Sequence, residues 1–389
     1  MRILMVSQLF YPEQFRVNDI CFELVKQGHE VTVLTGLPNY PEGIVKEDYK
    51  KVRQEEINGV NVIRSWLIGR GSTKKMLFLN YISFAVSASL RILTIKNDFD
   101  KIIVYQLSPV TMAIPAIIAK KKMKKPLIIY THDLWPESIA AGGIVPASRI
   151  YKAVKVLSQL IYKQADEIWL SSQMFESYFR DYLQINKPMT YMPVYAEDLF
   201  DSIPKREEDG KFNLLFAGNI GNMQSVETIL LAAKELADRK EIIFHIVGDG
   251  SSRIKCEKLK LDYQLDNVYF HGSHPVESMP YYYALADAFL ITLKDHPLIS
   301  YTLPNKVQSY LAAGKPIIGA INGETAHVIS QSNCGFIVGA EDHNALALAI
   351  KEFIVFENKD ILSNNSKECY IRNFSKEHYF KNLQQVLTM

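Results

Sequence analysis

A short segment near the middle of the first half combines an imidazole, two carboxylates and an indole. It reads Thr131-His132-Asp133-Leu134-Trp135-Pro136-Glu137-Ser138 and directly follows the apolar run at 126–131. A lone histidine is usually structural, but the carboxyl end of a strand is where α/β enzymes place reactive side chains. We therefore predict that His132 and Asp133 are catalytic.

Three glycine-marked segments in the second half each follow an apolar, β-branched run. They are Gly218-Asn219-Ile220-Gly221, Gly248-Asp249-Gly250 and His271-Gly272. Glycine lets the backbone approach a phosphate closely, although tight strand-to-helix turns need glycine whatever they bind. Three such strand ends in one predicted sheet favour an anion site.

Two basic side chains stand at predicted helix starts. Lys306 lies in the first turn of a helix predicted from Pro304 to Gly314, where the helix dipole disfavours a cation. A bound diphosphate would explain its position. Arg16, after the first strand, is a candidate diphosphate or acceptor contact; the alternative is a surface pair with Glu13.

Strand-like and helical patterns alternate along the whole chain, which predicts an α/β protein with parallel sheets. The alternation is interrupted by Pro188, Pro193 and the segment 204–210, and it restarts near Phe212. We predict two doubly wound, Rossmann-like domains facing across a cleft, at 1–195 and 196–372. A C-terminal helix at 373–389 follows; a return to the N-terminal domain is one option for its docking site.

Composition indicates a cytoplasmic globular protein. The 389 residues are 48% hydrophobic and 22% charged, and the four cysteines show no zinc or disulfide spacing. The N-terminus reads as a strand rather than a signal peptide. Polar residues interrupt the apolar stretch from Met76 to Ile95, so we predict no membrane span there and regard a core helix as the better explanation than membrane insertion.

Charge is distributed unevenly along the chain. Residues 1–195 hold 25 Lys and Arg against 17 Asp and Glu, and the remainder holds 19 against 25. The densest basic cluster is Lys120, Lys121, Lys122, Lys124 and Lys125. We exclude nucleic-acid binding, because no aromatic residues interleave with these lysines. Two interpretations of the cluster remain, contact with an anionic membrane surface and a plain solvated loop.

Taken together, these segments resemble the family 4 retaining glycosyltransferases of GT-B fold. The most specific pieces are Gly28-His29-Glu30-Val31-Thr32-Val33, His132-Asp133 and Leu311-Ala312-Ala313-Gly314-Lys315-Pro316. The stretch from Thr35 to Gly43 is most similar to the branch that builds bacterial O-antigens, capsules and exopolysaccharides, which includes enzymes assigned to N-acetylfucosaminyl transfer.

The resemblance implies a nucleotide-sugar donor in the second domain, with UDP as the expected nucleotide. Its diphosphate would lie near Gly218, Asn219, Gly221 and Lys306, its nucleoside near Gly248, Asp249 and His271, and His132 would face the sugar. No metal or other cofactor is implied. The acceptor would be a polyprenyl-diphosphate-linked glycan at the inner face of the plasma membrane, reached by peripheral contact of the basic first domain.

The sequence departs from the family pattern at one pair of positions. Most members carry two glutamates eight residues apart, where this chain has Tyr301 and Ser309. The second glutamate normally engages the ribose, so Ser309 or its neighbour Gln308 is expected to make that contact.

Two alternatives to a transferase stay open: a non-catalytic paralogue that binds a nucleotide sugar or a partner enzyme, and a sugar epimerase of the same fold.

Overall fold

The computed structural model describes residues 1–96, 98–141, 143–200, 203 and 210–388. The described residues form two compact units, one of residues 1–171 and 175–191 and the other of residues 172–174 and 192–389. The division falls after Tyr191, close to the predicted boundary after Tyr195. Most of the predicted linker, residues 204–209, lies outside the described residues.

The first unit is built on an eight-stranded sheet that is parallel except at one edge. Its strands run in the order β3-β4-β2-β1-β5-β6-β7-β8. The strands are β1 (Arg2–Val6), β2 (Glu30–Gly36), β3 (Gln54–Ile57), β4 (Val60–Ser65), β5 (Lys101–Gln106), β6 (Leu127–Thr131), β7 (Glu167–Leu170) and β8 (Met189–Tyr191). The antiparallel β3 was not predicted; Asn58 and Gly59, both at positive φ, make its tight turn into β4.

Helices connect these strands. They are α1 (Arg16–Lys26), α2 (Lys74–Thr94), α3 (Ile114–Met123), α4 (Glu137–Ala141), α5 (Arg149–Tyr162) and the short α6 (Phe175–Ser177). The crossovers β4 to β5, β5 to β6 and β6 to β7 all step along the sheet in one direction. Because such crossovers are right-handed, α2, α3 and α5 lie on one face of the sheet and α1 lies on the other.

The second unit has a six-stranded, all-parallel sheet in the order β11-β10-β9-β12-β13-β14. The strands are β9 (Phe212–Ala217), β10 (Ile242–Val247), β11 (Val268–Gly272), β12 (Ala288–Thr292), β13 (Ile317–Ala320) and β14 (Gly335–Val338). Its reversal between β9 and β12 makes it doubly wound, with an opening at the strand ends where ligands bind in such sheets.

Nine helices among the described residues accompany this sheet. They are α7 (Val226–Glu235), α8 (Arg253–Asp262), α9 (Met279–Leu285), α10 (Pro297–Tyr301), α11 (Asn305–Ala312), α12 (Glu324–Gln331), α13 (His343–Val355), α14 (Lys359–Asn373) and α15 (Lys376–Thr388). The C-terminal α15 is part of the second unit, where its Tyr379 and Phe380 rings pack against Tyr195 at 5.1 and 5.7 Å between centroids.

The lysine cluster at 120–125 is largely committed to internal contacts. Lys122 Nζ donates to three carbonyls at the end of α2, at 2.6 to 3.2 Å. Lys120 pairs with Asp166 at 2.7 Å, and Lys125 pairs with Asp98 at 3.3 Å. These lysines neutralise helix and strand ends, so the cluster is not a continuous free basic patch.

Candidate active site

The end of β6 places His132 between two tyrosine rings. Its ring lies 4.0 Å from that of Tyr105 and 4.2 Å from that of Tyr130, measured between centroids. The backbone N–H of His132 donates to the Gln106 carbonyl at 2.9 Å, which fixes the residue at the strand end. Burial lowers the pKa of His132 to about 3, so the imidazole is neutral at physiological pH.

One atom of this imidazole has an unmet hydrogen-bonding capacity. The Nε2 atom of His132 is buried and makes no hydrogen bond with any residue that the structure describes. A buried polar atom left without a partner is costly and marks a place where a ligand can supply the contact. A neutral imidazole at this position can form a hydrogen bond with a sugar hydroxyl. It does not carry the additional proton that a cationic imidazole could donate as an acid.

Asp133 is held by its neighbours rather than left free. The Ser108 hydroxyl donates to Asp133 Oδ2 at 2.6 Å, and the Trp135 indole N–H donates to Ser108 Oγ at 3.2 Å. Gln106 Nε2 donates to the Asp133 carbonyl at 3.1 Å. Burial raises the pKa of Asp133, and the hydrogen bonds from Ser108 oppose that rise. This chain of contacts fixes the loop that carries His132.

Arg16 opens α1 at the same edge of the first sheet. Its Nη1 atom lies 3.8 Å from Asp19 Oδ2, so Arg16 forms an ion pair one turn along the helix, whereas the alternative drawn from the sequence was a pair with Glu13. Glu13 instead accepts the backbone N–H groups of Asn39 and Tyr40 at 2.8 and 2.7 Å. The guanidinium still acts on the tyrosine beside the histidine, because it opposes the rise in the pKa of Tyr105 that burial causes.

In the second unit, three strand ends converge through glycine. A Cβ atom on Gly248, at φ +139, would lie 1.8 Å from the Gly218 carbonyl oxygen, so the two backbones touch only because no side chain separates them. Gly218 N–H donates to Val247 O at 2.9 Å, and Gly248 N–H donates to Gly272 O at 2.8 Å. The glycines predicted for a phosphate site therefore form one junction of β9, β10 and β11.

Two side chains border this junction. Asn219 is exposed, and its amide leaves no room for a Cβ on Gly221 or Gly250, which would lie 2.7 and 2.4 Å from it. Asp249 is also exposed; its carboxylate accepts the Gly250 N–H at 2.7 Å and pairs with Arg253 at 3.3 Å. Both side chains are accessible at the strand ends, where the sequence predicted them.

Lys306 reaches this junction from the start of α11. A Cβ on Gly218 would lie 2.9 Å from Lys306 Nζ. The ammonium donates to Gln224 Oε1 at 2.7 Å and lies 3.9 Å from the centroid of the Phe216 ring. Burial lowers its pKa from 10.5 to about 7, and within the described ranges it forms no ion pair. A partly buried ammonium that lacks an acidic partner among the described residues, beside glycine backbone, is an arrangement that an anion could neutralise.

His271 belongs to a network of rings at the edge of this sheet. Its Nε2 atom lies 2.9 Å from His245 Nδ1, and His245 Nε2 lies 2.8 Å from Asn213 Oδ1. The Tyr282 ring lies 5.2 Å from the His271 ring between centroids. Burial, with the nearby charge of His274, lowers the pKa of His271. The network holds the His271 ring in one orientation.

The two positions that depart from the family pattern lie on consecutive helices. Tyr301 ends α10, and its carbonyl accepts the Ser172 hydroxyl at 2.5 Å. Ser309 is buried in α11, and its hydroxyl faces the Asn305 carbonyl one turn earlier, at 3.5 Å. A contact this long leaves the hydroxyl available for a better partner.

Several residues of the site were missed or underrated from the sequence. Ser108 and the rings of Tyr105 and Tyr130 form the surroundings of His132, and the Phe216 ring lies beside Lys306. Ser108 follows β5, the neighbour of β6, so its strand-end position was a usable signal. Within the residues described, no three His, Cys, Asp or Glu side chains are placed to hold a metal ion together.

Comparison with known proteins matches both units. Residues 14–194 match the family described as glycosyl transferase 4-like domain, and residues 211–355 match the family described as glycosyl transferases group 1. A protein of Pseudomonas aeruginosa named as a glycosyltransferase, WbjE, is 27% identical to this chain. The match covers 58% of this chain and 59% of the length of WbjE. A protein of Escherichia coli K12 named as a colanic acid biosynthesis glycosyl transferase, WcaI, is 25% identical over 81% of this chain and 82% of its own length.

A solved structure supports the same grouping at the level of the fold. The crystal structure of the Anabaena protein HepE with UDP and glucose superposes with a TM-score of 0.69 at 14% identity, covering 100% of this chain and 99% of that one. Two family matches that together span most of the sequence, and two doubly wound sheets with the expected strand ends, agree with each other. This chain belongs to the family 4 glycosyltransferases of GT-B fold.

Proposed function

We propose that this glycosyltransferase moves a sugar from a UDP-linked donor to a lipid-linked glycan during the synthesis of a bacterial surface polysaccharide. The proposed donor site rests on Lys306, a partly buried lysine beside the glycine junction that forms no ion pair among the described residues. A diphosphate would supply its missing counter-charge. The UDP complex of HepE, and the name of WcaI, support the choice of nucleotide and of pathway class.

In this proposal the donor diphosphate lies at Gly218, Asn219, Gly221 and Lys306. The nucleoside lies toward Gly248, Asp249 and His271, and the Ser309 hydroxyl takes over the ribose contact of the family's glutamate. Arg16 remains a candidate contact for the diphosphate or the acceptor. Lys306 and the backbone N–H groups would neutralise the phosphates, so that no metal ion is required.

The proposed reaction retains the anomeric configuration of the donor. The bond between the sugar C1 and the diphosphate oxygen breaks, and the acceptor oxygen bonds to C1 on the same face. The departing phosphate oxygen takes the acceptor proton. Lys306 stabilises the charge that develops on the leaving group, and the neutral His132 contributes its unpaired Nε2 to a sugar hydroxyl. Asp133, which accepts a hydrogen bond from Ser108, fixes the loop that carries His132.

The proposed acceptor is a polyprenyl-diphosphate-linked glycan, which places the protein in the cytoplasm and in peripheral contact with the inner face of the plasma membrane. Hexosyl and N-acetylhexosaminyl transfer are both compatible with the site, and an N-acetylated deoxyhexosamine is one candidate sugar. The basic first unit would meet the membrane.

A donor screen tests the proposal. Purified protein is incubated with UDP-, GDP- and dTDP-sugars and lipid-linked acceptors, with and without EDTA, and products are identified by mass spectrometry. We expect transfer from one UDP-sugar, unaffected by EDTA and lost in His132→Ala, while the exposed Lys258→Met retains it. Binding of UDP without transfer or hydrolysis of any donor would instead support the non-catalytic paralogue, which the missing glutamates at Tyr301 and Ser309 favour.

A further inference from the structure

The surface helices of the first unit expose a continuous set of large apolar side chains. On α2 these side chains recur every three or four residues, so that they lie along one stripe. They are Phe78, Ile82, Val86, Leu90 and Leu93, of which Phe78 is 62% and Leu90 is 64% exposed. A stripe this long on a surface helix is typical of an interaction site.

A second stripe lies on α5. Its exposed members are Ile150, Leu157 and Leu160, which share a face at helical spacing, while Ser158, Ile161 and Tyr162 face the core. Between the two helices, α3 contacts α2, and the turn that leads into α3 contacts both α2 and α5. The two stripes therefore flank one helical layer on a single face of the sheet. We call the exposed side chains of α2 and α5 together the apolar face.

The helix α2 is long and apolar enough to cross a membrane, by length and composition. Its other side, however, is part of the core: Phe84, Ala88 and Ile92 are fully buried. The Asn80 amide donates to the Ile68 carbonyl at 2.7 Å and accepts from Gln8 Nε2 at 2.7 Å. Crossing the membrane would remove all these contacts, whereas lying on the membrane keeps them.

The charge of this layer identifies the surface that it fits. The helices α2, α3 and α5 comprise 21, 10 and 14 residues and contain no Asp or Glu. Nine of their residues are Lys or Arg, and Lys75, Lys121, Arg149 and Lys152 are exposed among them. If two copies of this chain met through this layer, the cations of one copy would lie opposite the cations of the other. An anionic lipid surface complements both the cations and the apolar side chains.

We propose that the apolar face of α2 and α5 inserts into the headgroup region of an anionic bilayer, with the exposed cations of the layer on the lipid phosphates. The proposal rests on the proposed function for its purpose, because a lipid-linked acceptor lies in such a membrane. It differs from the sequence-based expectation in its location: the apolar face makes the contact, and from the lysine cluster at 120–125 the exposed Lys121 contributes, whereas Lys120, Lys122 and Lys125 are engaged in internal contacts.

Vesicle flotation with the full chain tests this proposal in the absence of donor and acceptor. Vesicles contain either phosphatidylcholine alone or phosphatidylcholine with phosphatidylglycerol. The test variant is Leu90→Glu with Leu160→Glu. The matched control is Leu261→Glu with Leu348→Glu, two leucines of the second unit that are 73% and 59% exposed. Both variants add the same charge at exposed helical positions, so both should fold, which circular dichroism verifies.

We expect wild-type protein and the control variant to float with the anionic vesicles, and the test variant to bind them at least tenfold more weakly. Binding should fall at high salt and on uncharged vesicles. Equal binding of the two variants, or no binding of the wild type, would overturn the proposal. So would a wild-type dimer that the test variant abolishes without vesicles. Transfer to a water-soluble acceptor analogue should survive in the test variant, which separates this result from a failure of the proposed function.

Discussion

Replacement of Lys306 by methionine should raise the stability of the protein while weakening donor binding. Burial lowers the pKa of Lys306 from 10.5 to about 7. The unfolded chain therefore holds this proton up to pH 10.5, whereas the folded protein releases it near pH 7, and the folded state is destabilised at any pH below 10.5. At about 1.4 kcal/mol per pH unit, the cost at pH 7 is roughly 4 kcal/mol.

Methionine removes this cost and retains the apolar contact with Phe216. It also leaves Gln224 Oε1 without its Lys306 donor, which costs about 1–3 kcal/mol. The variant should therefore be more stable by about 1–3 kcal/mol at pH 7, a rise of a few degrees in melting temperature. The gain should shrink as the pH approaches 10.5. Lys258→Met, at an exposed position, should leave the melting temperature unchanged.

The same substitution should weaken UDP binding by roughly 30- to 150-fold, which corresponds to the loss of a charge-assisted hydrogen bond of about 2–3 kcal/mol. In the wild type, affinity for UDP should fall between pH 7 and pH 9, because only the protonated Lys306 attracts the diphosphate. Calorimetric titration and thermal unfolding measure the two effects separately. A variant that is less stable than the wild type and still binds UDP equally well would refute this reasoning.

Three further predictions concern other parts of the two units. His132→Ala should lower kcat at least a hundredfold with little change in UDP affinity. Because burial lowers the pKa of His132 to about 3, the wild-type pH profile of kcat between pH 5 and 8 should show no transition from this residue. A transition in that range that is lost in the variant would contradict the buried position of the imidazole. Gly248→Ala should destabilise the second unit by about 3 kcal/mol or more in urea unfolding, because the added Cβ would meet the Gly218 carbonyl. A variant as stable as the wild type would show that the junction has room for a side chain. Lys122→Met should lower the melting temperature, because the carbonyls at the end of α2 lose the hydrogen bonds from Lys122, whereas Lys121→Met at a neighbouring exposed position should not. Equal effects of the two substitutions would argue against a capping role for Lys122.

The alternation of strands and helices was readable from the sequence because each element has its own periodicity of apolar residues. The apolar run at 126–131 coincides with β6 to within one residue, and the helix predicted from Pro304 to Gly314 contains α11. The short elements were missed: β3, β8, α4, α9 and α10 are too brief to show a period, and α14 has polar residues on most of its positions. Such segments are held by tertiary contacts rather than by their own pattern.

The sequence by itself determined that the candidate site residues lie at strand ends. His132 follows β6 in the first sheet, and the glycines follow β9, β10 and β11 in the second. Within each parallel sheet, the carboxyl ends of neighbouring strands must lie at the same edge. Only the tertiary structure decided what each side chain experiences there. Local sequence could not reveal that Lys306 lacks an acidic partner among the described residues, or that Tyr105 and Tyr130 enclose His132. These facts depend on packing between segments distant in sequence, which fixes desolvation and hydrogen-bond partners and hence the pKa values.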